Sequence, residues 1–331
     1  MRLGRSTTHI YRHQPVVSVN KMSKPSALTI TSTTKALKSL IATVQQLYPP
    51  GIADKTWDNT GLLLESPVLA PPATKHARVM LTIDLTTAVV DEALTKRPLL
   101  IVAYHPIIFR PVKSLTQSNT QQRSLLRLAQ AGISVYSPHT AVDAQVGGMN
   151  DWLADVITGT STAAINNGIS TKVIEPTGGD EYAPTGFGRL VASEKSALTL
   201  ATAIANVKAG LGLKHVQVAL AEHHKDINSS IIHSIAICAG SGASVLSKTH
   251  ADLWFTGELS HHEILALVER GTSAIICGHT NTERGYLTST FAPNLLAQIA
   301  SNVNSLDGNY YDGFTIDVVV SEADRDPVTT F

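Results

Sequence analysis

The sequence lacks an excess of either charge. Its 331 residues carry 26 Lys and Arg against 26 Asp and Glu, so the formal net charge is zero. Domains that bind nucleic acid usually carry a basic surplus that attracts the phosphates, and we therefore expect no nucleic-acid partner. No uninterrupted apolar run approaches the ~20 residues that cross a bilayer, so we expect no membrane insertion.

Thiols are scarce as well. The two cysteines, Cys238 and Cys277, stand in separate apolar, strand-like runs and form no CxxC pair. Without paired thiolates, neither an iron–sulfur cluster nor a cysteine-bound zinc is expected. Two buried, reduced thiols in a reducing compartment are the simplest interpretation.

Acidic residues are missing from the first 53 positions, where basic and hydroxyl side chains are frequent. Such a composition resembles a mitochondrial presequence. The alternative is a disordered tail, with Met22 as a second start. We expect residues 1–32 to form a disordered or targeting tail. The protein would be cytoplasmic, and also mitochondrial if the tail is a presequence.

The chain does contain a regular alternation of strand and helix patterns. Runs such as Arg78–Leu85, Leu99–Ala103 and Ile133–Ser137 are typical of buried strands, and helical patterns separate them. Since a strand–helix–strand rhythm places parallel strands in one sheet, it predicts an α/β fold of mixed, largely parallel sheets flanked by helices.

The length of the chain exceeds the size at which one hydrophobic core keeps growing. The stretch at 159–180 is rich in Thr, Ser, Asn and Gly and is typical of a connector. We therefore expect a two-domain arrangement with a central insertion. Residues 33–159 would form one α/β domain with 229–331, the two parts either joining one sheet or forming a pseudo-repeat, and residues 160–228 would form a smaller inserted α/β segment.

Three of the predicted strands lead to a histidine. LLIVA precedes His105, ISVYS precedes His139 and SAIIC precedes His279, and the last two are followed four residues later by Asp143 and Glu283. Sites in α/β sheets gather beyond the carboxyl ends of parallel strands, and residues i and i+4 of a helical turn share one face. The pattern predicts a site for one or two divalent metal ions. Imidazole and carboxylate ligands suit Zn, Mn, Fe or Ni.

Other polar groups have two interpretations each. Glu258 either caps backbone N–H groups or serves as a general acid or base. His261 and His262 follow Ser260, a favoured N-cap, and either line the pocket or only begin a helix. The His223-His224 pair lies in a polar turn and is expected to be solvated.

Several catalytic patterns are absent. The chain has no nucleophile elbow, Walker lysine or GxGxxG sequence. The stretch WDNTG at residues 57–61 is typical of a turn, in which Trp57 and Asn59 are candidates for the border of a pocket.

Longer motifs occur in order from about Leu40 to the C-terminus: WDNTGLLLE, HPIIF, SPHTAVDAQVGGMNDWLA, TGELSHHE and GHTNTERGYL. Together they resemble the NGG-interacting-factor-three-like family, whose bacterial members often carry the name GTP cyclohydrolase I type 2 homologue. The resemblance implies a two-domain α/β protein that assembles as a toroidal homohexamer with a dinuclear metal site in each chain.

The same resemblance implies a ligand set. His105 and Asp143 would bind one metal ion, His279 would bind the other, and Glu283 would bridge both. His139 would stand close to the ions and is a further candidate ligand.

Tyr104 departs from the bacterial pattern, in which two histidines precede the proline, and resembles the eukaryotic branch of the family. A neutral phenol, with a reference pKa of about 10, is a poorer ligand than imidazole. With Tyr104 as only a candidate ligand, we expect one tightly held ion and one weaker ion per chain.

Two functions follow as hypotheses. A metal pair with open coordination positions activates water and polarises phosphoryl or C=N bonds. The first hypothesis is therefore a metal-dependent hydrolase of a small nucleotide-like or phosphorylated molecule, with Glu258 or His262 as the catalytic acid or base. The second, suggested by the family name, is a non-enzymatic metal-binding scaffold or chaperone that interacts with other proteins, including transcription factors.

Overall fold

The computed structural model of the protein describes residues 27–68, 75–161, 169–179, 184–193, 198–305 and 310–329. Its first helix, α1 (Ala27–Leu47), begins earlier than the predicted start of the folded part at residue 33. The predicted tail therefore overlaps this helix. Residues 1–26, on which the targeting prediction depends, lie outside the described residues.

Thirteen strands are found among the described residues. In chain order they are β1 (Gly61–Leu64), β2 (His76–Thr82), β3 (Leu100–Ala103), β4 (Ser134–Ser137), β5 (Ile169–Pro176), β6 (Gly186–Ser193), β7 (Leu198–Thr199), β8 (Gln217–Ala219), β9 (Ile231–Ile232), β10 (Ser234–Cys238), β11 (Leu253–Thr256), β12 (Ser273–Ile276) and β13 (Thr315–Val320).

The helices after α1 are α2 (Thr87–Lys96), α3 (Thr120–Ala131), α4 (Thr140–Ala144), α5 (Met149–Thr158), α6 (Leu200–Leu211), α7 (Ala243–Leu246), α8 (His261–Glu269), α9 (Arg284–Tyr286) and α10 (Ala292–Ser305). Single 3-10 turns lie at Pro50–Ile52, Glu222–His224 and Thr280–Thr282, and a π-helical turn lies at Leu287–Phe291. Helices α2, α3, α6 and α8 begin after side-chain N-caps that accept a backbone N–H of the first turn: Thr86, Asn119, Thr199 and Ser260.

The first sheet has the strand order β1-β4-β3-β2-β13, and all neighbouring pairs are parallel except β1 and β4. Alternate residues of β2 face opposite cores, as the two-residue period of a strand requires. Val79 and Leu81 pack into the core with α1 and α10, whereas Met80 packs with α2 and α3. Both faces are therefore covered, which explains the continuous apolar run of β3 and the burial of all four residues of β4.

The second sheet has the strand order β5-β6-β10-β11-β12-β8. Strands β10, β11 and β12 are parallel, and the outer strands pair antiparallel. Helices α5 and α6 pack on one face and α7 and α8 on the other. Strands β7 and β9 form a separate antiparallel pair. The predicted class, an α/β protein with mixed, largely parallel sheets, is confirmed.

The boundary between the two sheets differs from the predicted domain boundary. The sequence predicts that residues 229–331 join residues 33–159, but β10, β11 and β12 pair with β6 and β8 instead. Among the described strands after residue 229, only β13 joins the first sheet. The buried parallel strands of both sheets have the same apolar pattern, and this pattern does not specify the hydrogen-bonded partner.

Two buried polar side chains hold the sheets together near their strand ends. Arg189 of β6 is 2% exposed and forms an ion pair with Asp151 of α5 at 2.6 Å, while donating to four backbone carbonyls. Asn150, fully buried, donates to the carbonyl of Asp143 and accepts from the N–H of Ala239. These contacts fix the loop after β4 relative to the loop after β10.

Three smaller expectations can be compared with the structure. Cys238 and Cys277 are both free and buried, as predicted. His224, expected at the surface with His223, is buried instead, because its Nδ1 lies 2.9 Å from Ser273 Oγ beneath the 3-10 turn. No helix in the described part of the chain combines the length and apolar character needed to cross a membrane.

Candidate metal centre

Carboxyl ends of parallel strands from both sheets meet at one place. In the first sheet β3 leads to His105, and in the second sheet β12 leads to His279. Glu283 follows His279 after a single 3-10 turn. His105, His279 and Glu283 each offer one ligand atom, and these atoms lie within 4.8 Å of one another. The structure thus brings together three of the predicted ligands across the boundary between the sheets.

The Glu283 carboxylate lies between the two imidazoles. Its Oε1 is 3.4 Å from Nε2 of His279, and its Oε2 is 3.6 Å from Nε2 of His105. The side chain is only 2% exposed, and Oε2 accepts no hydrogen bond from the described residues. Each carboxylate oxygen therefore faces a different imidazole nitrogen.

Three histidines at this place have their ring orientation fixed by a carboxylate on the far side. Nδ1 contacts a carboxylate oxygen in the pairs His105–Asp84 at 2.9 Å, His279–Glu258 at 2.8 Å and His139–Asp58 at 2.7 Å. An imidazole whose proton lies on Nδ1 keeps the lone pair of Nε2 free for a cation. This pairing is common behind metal-binding histidines, since it sets the tautomer and raises the basicity of the ligand.

Glycine is required where the loop after β10 crosses the site. Gly240 has φ +59°, and a Cβ on this residue would lie 2.8 Å from both Oε1 of Glu283 and Nε2 of His279. No larger residue fits without moving these groups. The backbone thus closes one side of the centre.

Tyr104 and Asp143 form a hydrogen-bonded pair beside the three ligands. The Tyr104 hydroxyl donates to Oδ1 of Asp143 at 2.6 Å. Burial raises the pKa of Tyr104 well above its usual value, and the neighbouring Asp143 and Glu283 raise it further. Burial also raises the pKa of Asp143 to about 6, against the lowering effects of His139 and Tyr104. Tyr104 therefore remains a neutral donor to Asp143.

Comparisons with known proteins agree with this architecture. The model of the family described as Duf34/NIF3 (NGG1p interacting factor 3) matches residues 35–325. This chain belongs to the NIF3 family. The fission yeast Schizosaccharomyces pombe has a similar protein, named Protein NIF3 homolog, that is 46% identical over 288 residues, covering 87% of this chain and 95% of its own. The NGG1-interacting factor 3 of Saccharomyces cerevisiae is 38% identical and covers 88% of this chain and 96% of its own. The resemblance seen in the sequence is thereby confirmed.

Solved structures share the fold at lower identity. A Bacillus cereus protein related to NIF3 superposes with a TM-score of 0.69 at 17% identity, covering 89% of this chain and 98% of its own. Reduced HcgD from Methanocaldococcus jannaschii gives a TM-score of 0.60 at 19% identity, with 86% and 97% covered.

The side chains of this NIF3 protein fit a divalent cation. A buried acceptor without a partner, such as Oε2 of Glu283, costs on the order of 1–3 kcal/mol unless a donor or cation pairs with it. Burial lowers the pKa of His105, but the hydrogen bond to Asp84 and the negative charge of the nearby Glu283 carboxylate outweigh this effect and raise it to about 10. The surrounding carboxylates therefore favour positive charge at this position, and the donor set of imidazole and carboxylate suits Zn, Fe, Mn or Ni.

The two predicted catalytic residues take different places. Oε1 of Glu258 lies 2.8 Å from Nδ1 of His279, so Glu258 is placed to orient this imidazole. His262 lies exposed at the start of α8, where its ring contacts that of His261 at 5.3 Å. Ser260 caps α8 as predicted, with Glu263 completing a capping box. Neither His261 nor His262 belongs to the ligand group found among the described residues.

Sequence reasoning missed the carboxylates that orient the histidines. Asp84 follows β2, which ends at Thr82, but the predicted strand continues to Leu85 and therefore includes Asp84. A strand boundary placed two residues earlier would have identified it by the same strand-end rule. Asp84 also contacts Arg284 at 3.2 Å, and Arg284 pairs in turn with Asp324.

Proposed function

We propose that this NIF3 protein binds two divalent metal ions per chain and hydrolyses a small nucleotide-like or phosphorylated molecule. The observation that carries the proposal is the Glu283 carboxylate, buried and facing one imidazole with each oxygen. Oε2 lies 3.6 Å from Nε2 of His105, a contact that is too long for a hydrogen bond. Here Oε2 has no hydrogen-bond partner among the described residues.

The proposed ligand roles follow the residues around this carboxylate. His105 and Asp143 would hold one ion, His279 would hold the other, and the Glu283 carboxylate would be shared between them. Because the Tyr104 hydroxyl is neutral and already donates to Asp143, it adds little to either site. One ion is therefore held tightly and the other more weakly.

Two such ions would supply Lewis-acid activation of a water molecule and of the bond to be cleaved. The chain's own residues would position the metal ligands and exchange protons with the substrate. Asp84 and Glu258 orient the ligand imidazoles through Nδ1. His139, with its Nδ1 held by Asp58 and its ring 5.4 Å from that of His105, is placed to exchange a proton at Nε2 with a bound substrate.

Turnover of small molecules tests this proposal. Protein loaded with Zn, Mn or Fe is incubated with nucleotides and phosphorylated metabolites, with Asp143→Ala as the control. Hydrolysis that depends on added metal and disappears in Asp143→Ala is expected. Equal turnover by both proteins, or none with any metal, would contradict the enzymatic proposal.

A second candidate function is a metal-binding scaffold. It is favoured by the relative named NGG1-interacting factor 3, since that name describes binding to another protein. A scaffold of this kind would retain a transcription-factor partner in the Asp143→Ala variant and show no turnover. Partner binding and turnover, measured on the same two proteins, separate the alternatives.

Assembly and location are part of the same proposal. We expect a homohexamer, for which light scattering should give a mass of six chains. We also expect a fusion of residues 1–40 to a reporter to enter mitochondria, and a product that begins at Met22 to stay in the cytoplasm. A cytoplasmic signal from both fusions would refute the targeting role.

A further inference from the structure

Two large aromatic side chains are exposed beside the metal centre. Trp57 is 53% exposed and Phe109 is 46% exposed. Their ring centroids lie 6.0 Å apart, although they belong to loops more than fifty residues apart in the chain. Single exposed apolar residues need no explanation, but a pair in mutual contact at the edge of a site forms a patch of the kind that binds ligands.

The pair is linked to the metal centre by a series of rings. Trp57 is 5.9 Å from His139, His139 is 5.4 Å from His105, and each contact is edge-on. Trp57 thus lies two ring contacts from a predicted metal ligand. A mononucleotide has a planar base at one end and a phosphate at the other, and it is long enough to reach from the exposed aromatic pair to the metal ligands.

The aromatic pair is also held rigidly. Asp58, next to Trp57, binds Nδ1 of His139 and the hydroxyl of Thr140. Asn59 donates through its side-chain amide to the carbonyl of Ile108, which precedes Phe109. The two loops are therefore fastened to each other and to the centre. A preorganised surface of this kind loses little entropy when a ligand binds.

Phe109 belongs to an unusually long connection. Residues 104–119 join β3 to α3 without helix or strand, and loops longer than about 12–15 residues are uncommon unless they are functional or disordered. Exposed cations flank the aromatic pair in sequence: Lys55 precedes Trp57 by two residues, and Arg110 and Lys113 follow Phe109. None of the ion pairs among the described residues involves these three cations.

We infer that Trp57 and Phe109 form a stacking surface for a planar, anionic heteroaromatic substrate of the metal centre. The base of a mononucleotide would stack on Trp57, with its phosphate directed towards the metal ligands. This inference rests on the proposed hydrolase function and specifies its substrate class. A ring-bearing anion would be selected over an equally charged molecule without a ring.

Tryptophan fluorescence tests the inference without relying on turnover. The chain has three tryptophans. Trp254 is 3% exposed and lies under Arg270, and Trp152 is partly buried against Tyr286. A ligand that stacks on Trp57 should therefore quench one emission selectively, and the Trp57→Phe variant should lose that change.

The probes are AMP and ribose 5-phosphate, which share the sugar phosphate and differ in the base. AMP should quench Trp57 saturably, whereas ribose 5-phosphate should not. In calorimetry, Trp57→Ala should weaken AMP binding at least about fivefold, the lower end of stacking contributions, and should leave ribose 5-phosphate binding unchanged. Leu296→Ala, which truncates a comparably exposed side chain on α10, is the matched control and should change neither affinity.

The outcomes separate the two proposals. Equal binding of both probes, or unchanged AMP binding in Trp57→Ala, would overturn the stacking surface while leaving a hydrolase of ringless substrates intact. A blue-shifted Trp57 emission that no probe changes would also overturn it, because the ring would then be covered by another chain. Selective AMP binding without hydrolysis of any compound would support the stacking surface and contradict the enzymatic proposal.

Discussion

Replacing Asp84 by Asn tests whether the carboxylates behind the histidines serve metal binding. The oxygen of Asp84 lies 2.9 Å from Nδ1 of His105, and an Asn side chain still accepts this hydrogen bond. The variant therefore keeps the orientation of the ring and removes the negative charge. A carboxylate one imidazole, or about 7 Å, away from a divalent cation contributes on the order of 2–5 kcal/mol at an effective dielectric constant of about 20–40.

The measured loss should lie below the lower end of this range, because Arg284 contacts Asp84 at 3.2 Å and already neutralises part of its charge. We expect the Asp84→Asn variant to bind Zn²⁺ about tenfold more weakly, at the lower end of the 10–100-fold losses seen when such partners are removed. Competition against a chromophoric chelator at fixed pH measures the affinity.

Asp317→Asn is the matched control for this experiment. Asp317 lies on β13 of the same sheet and accepts from Nε of Arg78 at 2.8 Å, so the change also removes a carboxylate that pairs with an arginine. Its Zn²⁺ affinity should equal that of the native protein. An unchanged affinity in Asp84→Asn, or equal losses in both variants, would refute the orienting role.

Three further predictions concern other contacts. Tyr104→His should supply an imidazole and tighten the weaker of the two proposed metal sites, which a stoichiometric titration would detect as a second ion that survives mild chelation. Arg189→Met should lower the free energy of unfolding by about 3 kcal/mol, because it leaves Asp151 unpaired between the sheets. Urea denaturation measures this free energy, and a loss below about 0.5 kcal/mol would contradict the prediction. Burial raises the pKa of Glu92, but hydrogen bonds from Lys96, Ser321 and two backbone N–H groups lower it overall from 4.5 to about 2. A carboxyl group whose pKa is lowered by folding stabilises the fold at any pH above the pKa that it has in the unfolded chain. Glu92→Gln should therefore lower the free energy of unfolding by about 2 kcal/mol at pH 7, and by progressively less as the pH falls from about 4.5 towards 2. A loss that does not depend on pH would be inconsistent with this.

The histidines of the centre are visible in the sequence because each follows a short apolar strand. Strand ends in α/β sheets carry the site, and the i to i+4 spacing from His279 to Glu283 is local, so both can be found without knowing the fold. The structure retains this spacing across the turn Thr280–Thr282.

The carboxylates that orient these histidines are harder to predict. Asp58 lies 81 residues from His139 in the chain, and Glu258 lies 21 residues from His279. Their proximity depends on which strands are neighbours, and a periodic apolar pattern contains no information about strand neighbours. For the same reason the sequence does not show whether β10, β11 and β12 join the first sheet or form a second one.

The burial of a polar side chain such as His224 is also difficult to predict from the sequence. His224 stands in a stretch of polar residues, AEHHKD, which is typical of an exposed turn. In the structure it is 4% exposed because Ser273 on β12 offers it a partner 49 residues away. A buried polar side chain is stable only when such a partner is present, and the partner cannot be identified from the local sequence.

The most direct test of the metal centre is the metal content of purified protein. Native protein and Glu283→Gln are incubated with Zn²⁺ or Mn²⁺, dialysed and analysed for metal per chain, while circular dichroism verifies the fold. Native protein should retain between one and two ions per chain. Because both imidazoles would lose their shared carboxylate, folded Glu283→Gln should retain almost none. Equal metal content in the two proteins, or a native protein that retains no metal, would contradict the assignment of His105, His279 and Glu283 as ligands.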